Sequence, residues 1–135
     1  ISRLQEMIIF VYGTLRSGTP NHYLLSDSSF IGKDQVYGFD LYDAGEYPIA
    51  AMSENANARI TVEIYEINEE TLKRTDRLEE YYGENAPNFY ERKLVISEGG
   101  TEGFLYYGNI DKVFGLIKIE SGDWVRHTID RHQRP

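Results

Sequence analysis

The sequence predicts an α+β fold, a single domain built on a mixed, barrel-like sheet with short flanking helices, and three observations carry that prediction. At 135 residues the chain is long enough for one continuous core and too short for two ordinary domains. The unbroken apolar run Met7-Ile8-Ile9-Phe10-Val11-Tyr12 has the pattern of a strand buried on both faces, and so of a central strand. Strand patterns stand on both sides of one strong helix pattern, which is not the regular strand-helix alternation of a doubly wound sheet.

Residues 1–6 precede the first strand and are set aside as a leader or cloning remnant, leaving residues 7–135 as the domain. No repeat, low-complexity run or Ser/Pro linker divides it. After the first strand, Arg16 to Asn21 is rich in turn formers, and Thr19-Pro20 leads into a short helix over His22 to Leu25. Phe30 to Met52 mixes β-branched and aromatic residues with Gly and Pro and reads as short strands with bends. Arg59 to Ile67 alternates apolar and polar residues, a second good strand. Asn68 is a good N-cap, and Glu69 and Glu70 suit the positive end of a helix expected to run to about Tyr82 and stop at Gly83. Phe89 to Ile96 and Thr101 to Tyr107 flank Ser97-Glu98-Gly99-Gly100 as a hairpin. The tail from Gly122 to His132 reads as a short helix that packs Trp124 and Ile129 inward.

Composition narrows the function. A net charge of -8 with no Lys/Arg cluster disfavours nucleic acid and anionic membrane surfaces as partners. With no cysteine, the chain has no disulfide, no Cys-ligated metal and no thiol nucleophile. No apolar stretch approaches the roughly 18 to 20 residues of a membrane span, so a cytoplasmic location is expected.

Two segments carry chemistry. On a helical wheel of Asn68 to Tyr82, Leu72, Thr75, Leu78 and Tyr82 share an arc of about 120°, the expected core-facing stripe. Glu79 falls inside that arc, whereas the other charged residues project away, with Asp76 at the border. A carboxylate among apolar neighbours has a raised pKa and can exchange protons near neutrality; the plainer alternative is a rim residue paired with a nearby Arg. The second segment is the Tyr12-Gly13-Thr14-Leu15 turn at the end of the buried strand. Gly13 permits close backbone approach, and free N–H groups there can bind a carboxylate or an oxyanion. An ordinary Gly turn is the alternative, and no nucleotide-loop signature is present.

These pieces fall in an ordered series with Asn21-His22, Leu41-Tyr42-Asp43, Tyr47-Pro48, Glu63-Ile64-Tyr65, Asp76-Arg77-Leu78-Glu79 and Tyr90-Glu91-Arg92. From about Met7 to Tyr107 the series resembles the gamma-glutamyl cyclotransferase-like superfamily. The resemblance implies a mixed β-barrel with a cavity at its mouth, and ring closure of gamma-glutamyl compounds to 5-oxoproline with release of an amine. It implies Glu79 as the acid/base and Tyr12, Gly13, Thr14 and Leu15 as the cradle of the gamma-glutamyl moiety, without metal or cofactor. Its small-molecule substrate would be a gamma-glutamyl amine or a gamma-glutamyl amino acid, with the amine type favoured. Three positions depart from the usual pattern: Thr75 stands for Leu, Glu80 for Gly, and Val62 for Gly.

Other candidates are fewer. His22, His127 and His132 are poorly spaced for a metal site. His22 would either brace the turn or touch substrate. Tyr90 and Arg92 share a strand face, where Arg92 could pair with a carboxylate of the substrate or of Glu63, or simply form ordinary strand surface. A non-catalytic binding module with the same cavity is the rival reading.

Overall fold

The computed structural model describes residues 7–132, so the leader assigned to residues 1–6 and the last three residues of the expected domain lie outside it. Eight strands form two sheets: β1 (Met7–Val11), β2 (Ser29–Tyr37), β3 (Phe39–Asp43), β4 (Pro48–Met52), β5 (Arg59–Ile67), β6 (Glu91–Ile96), β7 (Glu102–Tyr107) and β8 (Ile117–Lys118). The five-stranded sheet has the order β2-β5-β1-β7-β6 and the three-stranded sheet the order β4-β3-β8. β1 pairs antiparallel with β5 and parallel with β7, so the sheet is mixed. The two sheets curve around a shared core without closing into a full barrel.

The apolar run at the start of the chain takes the central place expected of it. Its side chains alternate, Phe10 and Tyr12 joining one core cluster with Val36, Ile60, Val62 and Trp124, and Ile9 and Val11 joining another with Tyr65, Ile67 and Tyr106. The region 29–52 resolves into three strands, and Glu91–Ile96 pairs with Glu102–Tyr107 as the hairpin. A 3-10 helix covers His22–Leu25.

The central helix, α1 (Glu69–Leu78), begins as expected, with Asn68 accepting a hydrogen bond from the Thr71 N–H. It ends four residues earlier than the wheel assumes. The Tyr81 N–H bonds the Asp76 carbonyl at 2.9 Å and the Glu80 N–H bonds the Arg77 carbonyl at 3.2 Å, the paired bonds of a Schellman cap. Glu79 is therefore the C-cap, and Glu80 takes the left-handed position with φ 52°. The expected apolar stripe is also wrong in detail. The buried face of α1 is Thr71 and Thr75, whereas Leu78 and Tyr82 are 38% and 67% exposed. What fixes the helix end is polar: the Thr75 hydroxyl lies 2.8 Å from the Tyr106 hydroxyl, which donates to Asp76 at 2.6 Å, and Asp76 also takes Arg92 at 2.7 Å.

Two elements lack a sequence signal, α2 (Ile110–Val113) and β8. The tail helix α3 (Trp124–His132) buries Trp124, but Ile129 is half exposed rather than packed down. The tail is tied to the sheet by backbone contact and by charge. Gly122 accepts from the Thr61 N–H at 2.8 Å, so close that a Cβ there would lie 2.3 Å from the Arg59 carbonyl oxygen. His127 and Arg131 reach the Asp43 carboxylate at 2.7 and 3.2 Å.

Candidate active site

β1 emerges between its two neighbours and turns at once. The Arg16 N–H bonds the Gly13 carbonyl at 3.0 Å, folding Gly13 to Arg16 into a tight turn. The residues that follow come back to hold it. The Asn21 N–H and the Thr19 hydroxyl both donate to the Thr14 carbonyl, at 2.8 and 2.6 Å, and the Thr19 hydroxyl also contacts the Arg16 carbonyl. The Asn21 amide donates to the Thr14 hydroxyl at 3.0 Å. His22 Nδ1 lies 2.9 Å from the Leu15 carbonyl, which can only accept, so that nitrogen carries the proton. With the turn's carbonyls engaged, the N–H groups of Gly13, Thr14 and Leu15 donate to no described residue. Gly13 leaves no room for a side chain: a Cβ would sit 2.7 and 2.8 Å from the Pro48 ring.

Beneath the turn is a buried ion network. Arg16, 2% exposed, donates from Nε to Glu63 at 3.0 Å and from Nη1 to Asp123 at 2.7 Å. Glu63 also accepts from the Ser17 N–H and the Tyr65 hydroxyl, both at 2.8 Å. Burial alone would raise the Glu63 pKa, but the Ser17 N–H, Arg16 and Tyr65 outweigh it and hold the carboxylate below its usual range. Asp123 is lowered in the same way, burial being overcome by Arg16 and the Arg126 N–H.

The turn forms one wall of a cavity of about 440 Å³, within the size range of small-molecule sites. The Schellman cap supplies the facing wall, with Leu78, Glu79 and Glu80. The cap is stitched to the strand entrance beside it, where the Phe89 N–H bonds the Glu80 carbonyl and the Tyr90 N–H the Glu79 carbonyl, at 3.0 and 3.3 Å. The Glu79 carboxylate makes no hydrogen bond or ion pair with any described residue. Protein surrounds it, yet the cavity lets water reach part of the side chain, and burial pushes its pKa up to about 7. Two of the neighbouring hydroxyls are committed. Tyr12 donates to the Tyr106 carbonyl at 2.8 Å and Tyr90 to the Pro48 carbonyl at 3.1 Å. Burial foremost, with Glu79 adding to it, pushes both phenols far above their ordinary pKa, so they stay protonated. Glu79 is thus the cavity group placed to exchange protons near neutrality.

The fold brings Tyr12, Gly13, Thr14, Leu15, Glu79 and Tyr90 to this one cavity. It does not bring His22 or Arg92 to its lining. His22 is bound to the Leu15 carbonyl behind the turn, and Arg92 is held by Asp76 while stacking on Tyr81 and Phe104 at 4.6 and 4.4 Å. The expected partner of Arg92, Glu63, belongs to Arg16 instead. Tyr90 lies one residue before β6 and lines the cavity, whereas Arg92 lies within the strand and does not. Sequence reasoning did not assign Glu46, Tyr47, Phe89 and Tyr106 to the cavity; only Tyr47, in the Tyr47-Pro48 pair, carried any signal. Among the described residues no group of three His, Asp or Glu stands close enough to hold a metal, and no helix is long and apolar enough to cross a membrane.

Fold and site together define an α+β protein with an unpaired acid facing a backbone N–H turn across a small-molecule cavity. Residues 9–126 match the family described as gamma-glutamyl cyclotransferase, AIG2-like. Over 126 residues, 90% of this chain and 77% of the relative, the sequence is 34% identical to a gamma-L-glutamyl-butirosin B gamma-glutamyl cyclotransferase of Niallia circulans. It is 34% identical to the gamma-glutamylcyclotransferase family protein YtfP of Escherichia coli K12 over 119 residues, 88% of this chain and 96% of that one. The fold is similar to the crystal structure of an uncharacterized protein of Pyrococcus horikoshii, PH0828, with a TM-score of 0.71 at 28% identity over 95% of this chain and 98% of that one. The chain belongs to the gamma-glutamyl cyclotransferase, AIG2-like family.

Proposed function

We propose that residues 7–135 act as one enzyme that converts gamma-glutamyl amines to 5-oxoproline and a free amine, with Glu79 as the acid/base. The observation that carries this reading is the unpaired Glu79 carboxyl, with its pKa near 7, facing a turn whose N–H groups are unclaimed.

The substrate's α-amino group is an ammonium near neutrality and cannot attack its own γ-carbonyl. Glu79 removes one proton, and the freed nitrogen attacks the carbonyl carbon, forming the fifth bond of the ring and an oxyanion. Glu79 gives its proton to the leaving nitrogen, the tetrahedral centre collapses and the bond to that nitrogen breaks, and the ring nitrogen loses its second proton to the Glu79 carboxylate, which passes it to the departing amine. No water is consumed. Nucleophile and electrophile belong to one molecule, so the site need only fold it and support developing charge. The N–H groups of Gly13, Thr14 and Leu15 take the oxygens of the glutamyl moiety, and Tyr12 and Tyr90 shape the walls.

Incubation with gamma-glutamyl-ε-lysine, gamma-glutamyl dipeptides and glutathione, monitored for 5-oxoproline, tests the proposal. Product is expected, most readily from the amine conjugate. Absence of product from every compound overturns it in favour of a binding module. Gly13→Ala supplies a local check. The added methyl must displace Pro48 or the turn itself, so kcat/KM should fall about a hundredfold, with a stability loss of about 1–3 kcal/mol. Unchanged kinetics would remove the turn from the site.

A further inference from the structure

The turn between β3 and β4 brings Glu46, Tyr47 and Pro48 to the cavity, and its two feet are held by different parts of the molecule. Pro48 is held from within the site: its ring fills the space beside Gly13, and its carbonyl accepts from the Tyr90 hydroxyl at 3.1 Å. Asp43, opposite Pro48 in the ladder, is held from outside the site, by α3. His127 Nε2 lies 2.7 Å from its carboxylate, and Arg131 Nη1 lies 3.3 and 3.2 Å from its two oxygens. The same Arg131 nitrogen donates to the Gly45 carbonyl at 2.9 Å. Inside the turn, the Asp43 carboxylate accepts from the Gly45 N–H at 2.7 Å and the Tyr47 carbonyl from the Ala44 N–H at 3.0 Å.

α3 is itself fixed where it begins. Trp124, its one buried residue, lies in the core cluster that holds Tyr12. The His127 ring stands 5.8 Å from the Trp124 ring, and the Arg131 guanidinium sits 5.2 Å over it. Both donors to Asp43 are therefore braced on a side chain that the core immobilises. Burial alone would raise the Asp43 pKa, but His127, the Gly45 N–H and Arg131 outweigh it and keep the carboxylate ionised for its partners. A turn held in this way meets a ligand already ordered, whereas a loose one would have to be ordered by the ligand at a cost in affinity.

Resting on the cyclotransferase reading, we infer that His127 and Arg131 are positioning residues for substrate: through Asp43 and the Gly45 carbonyl they fix the turn 44–47 as the lip of the cavity and present Tyr47 to the bound molecule. They act on substrate binding and not on proton transfer, because Glu79 and the Gly13 turn stand on other elements.

Kinetics on the gamma-glutamyl compound that the parent converts fastest test this, at a temperature where Trp124 fluorescence shows every variant folded. Arg131→Met keeps the stem over Trp124 but removes the donor, and should raise KM about fivefold with kcat within about twofold of the parent. Adding His127→Phe, which keeps a ring against Trp124, should bring the rise to about tenfold. Arg131→Lys should restore KM to within about twofold, because all three contacts leave from one nitrogen and an ammonium can replace it. In a Tyr47→Ala background, Arg131→Met should change KM by less than about 1.5-fold, a coupling that loss of stability alone would not produce. By amide exchange, Ala44 and Gly45 should lose about tenfold protection in the double variant while Ile64 in β5 keeps its own. Parental KM in the double variant, or a KM rise undiminished without Tyr47, overturns the inference and leaves the reaction standing. If the parent forms no 5-oxoproline from any compound, the reaction falls and amide exchange decides the inference. Loss of protection confined to the turn sustains it; unchanged exchange, or a loss that Ile64 shares, overturns it.

Discussion

Replacing Glu79 by Gln is expected to leave a folded protein that binds gamma-glutamyl conjugates but forms 5-oxoproline about 10²- to 10⁴-fold more slowly. The amide keeps the shape of the carboxyl but cannot take the ammonium proton. The same substitution should change stability in a way that depends on pH. Burial raises the Glu79 pKa to about 7, well above an exposed glutamate, so the folded state holds its proton more tightly than the unfolded chain. The stability from this group is complete below the unfolded pKa of about 4.3 and is lost as pH rises through about 7, a loss of roughly 3–4 kcal/mol. Glu79→Gln, neutral at every pH, should therefore be more stable than the parent at pH 8 and about equal at pH 4.5 by urea denaturation. In the parent, kcat/KM should fall tenfold per pH unit below about 7, because the base form must be present. The groups facing Glu79 do not obscure the profile from the phenol side, since Tyr12 and Tyr90 remain protonated throughout. Near-parental turnover in the variant, or a stability difference that does not vary with pH, would remove Glu79 as the proton carrier.

How much of this was legible beforehand divides along physical lines. Local patterns were readable: the buried run that became β1, the alternation of β5, the Asn68 cap and the hairpin all follow from side-chain period and turn chemistry. Pairings between distant segments were not. Nothing in residues 7–11 announces the parallel ladder with β7, which arises only when the chain returns almost 100 residues later. Very short elements such as β8 have too few residues to show a period. Glu79 was singled out by its place on a helical face, yet it is the C-cap beyond the helix, turned towards the cavity by a Schellman bend. The wheel treated residues 79–82 as helical because Gly83 looked like the stop, and a left-handed Glu80 is a stop that composition does not suggest. The charged residues misled most. Arg92 was offered to substrate but is spent on Asp76, and Arg16 drew no attention as a buried group because its partners lie 47 and 107 residues away.

Arg16 is therefore where the largest loss of stability is expected. Its guanidinium is nearly solvent-free and spans two carboxylates 60 residues apart in the chain, Glu63 on β5 and Asp123 just before α3. Arg16→Ala strands Glu63, 5% exposed, as a buried charge without its cation, a change worth about 3–5 kcal/mol. Arg16→Lys should recover only part, because one ammonium cannot reproduce a planar fork that reaches two acids at once. Both acids have pKa values lowered in the fold, so the stability they lend is present above the unfolded carboxylate range and is lost as pH falls through their folded values. The deficit of Arg16→Ala should accordingly be greatest near pH 7 and narrow towards pH 3. Adding Glu63→Gln to Arg16→Ala should restore part of the loss at neutral pH, since the stranded group is then uncharged. Trp124, the one tryptophan of the chain, is buried next to Asp123 and reports the transition by its fluorescence. The network also fixes Arg16 and Ser17 directly after the Gly13 turn, so the variant should lose kcat/KM even at temperatures where it stays folded. An Arg16→Ala chain with parental denaturation midpoints at pH 7 would mean that the buried ion pairs neither hold the tail to the sheet nor set the turn.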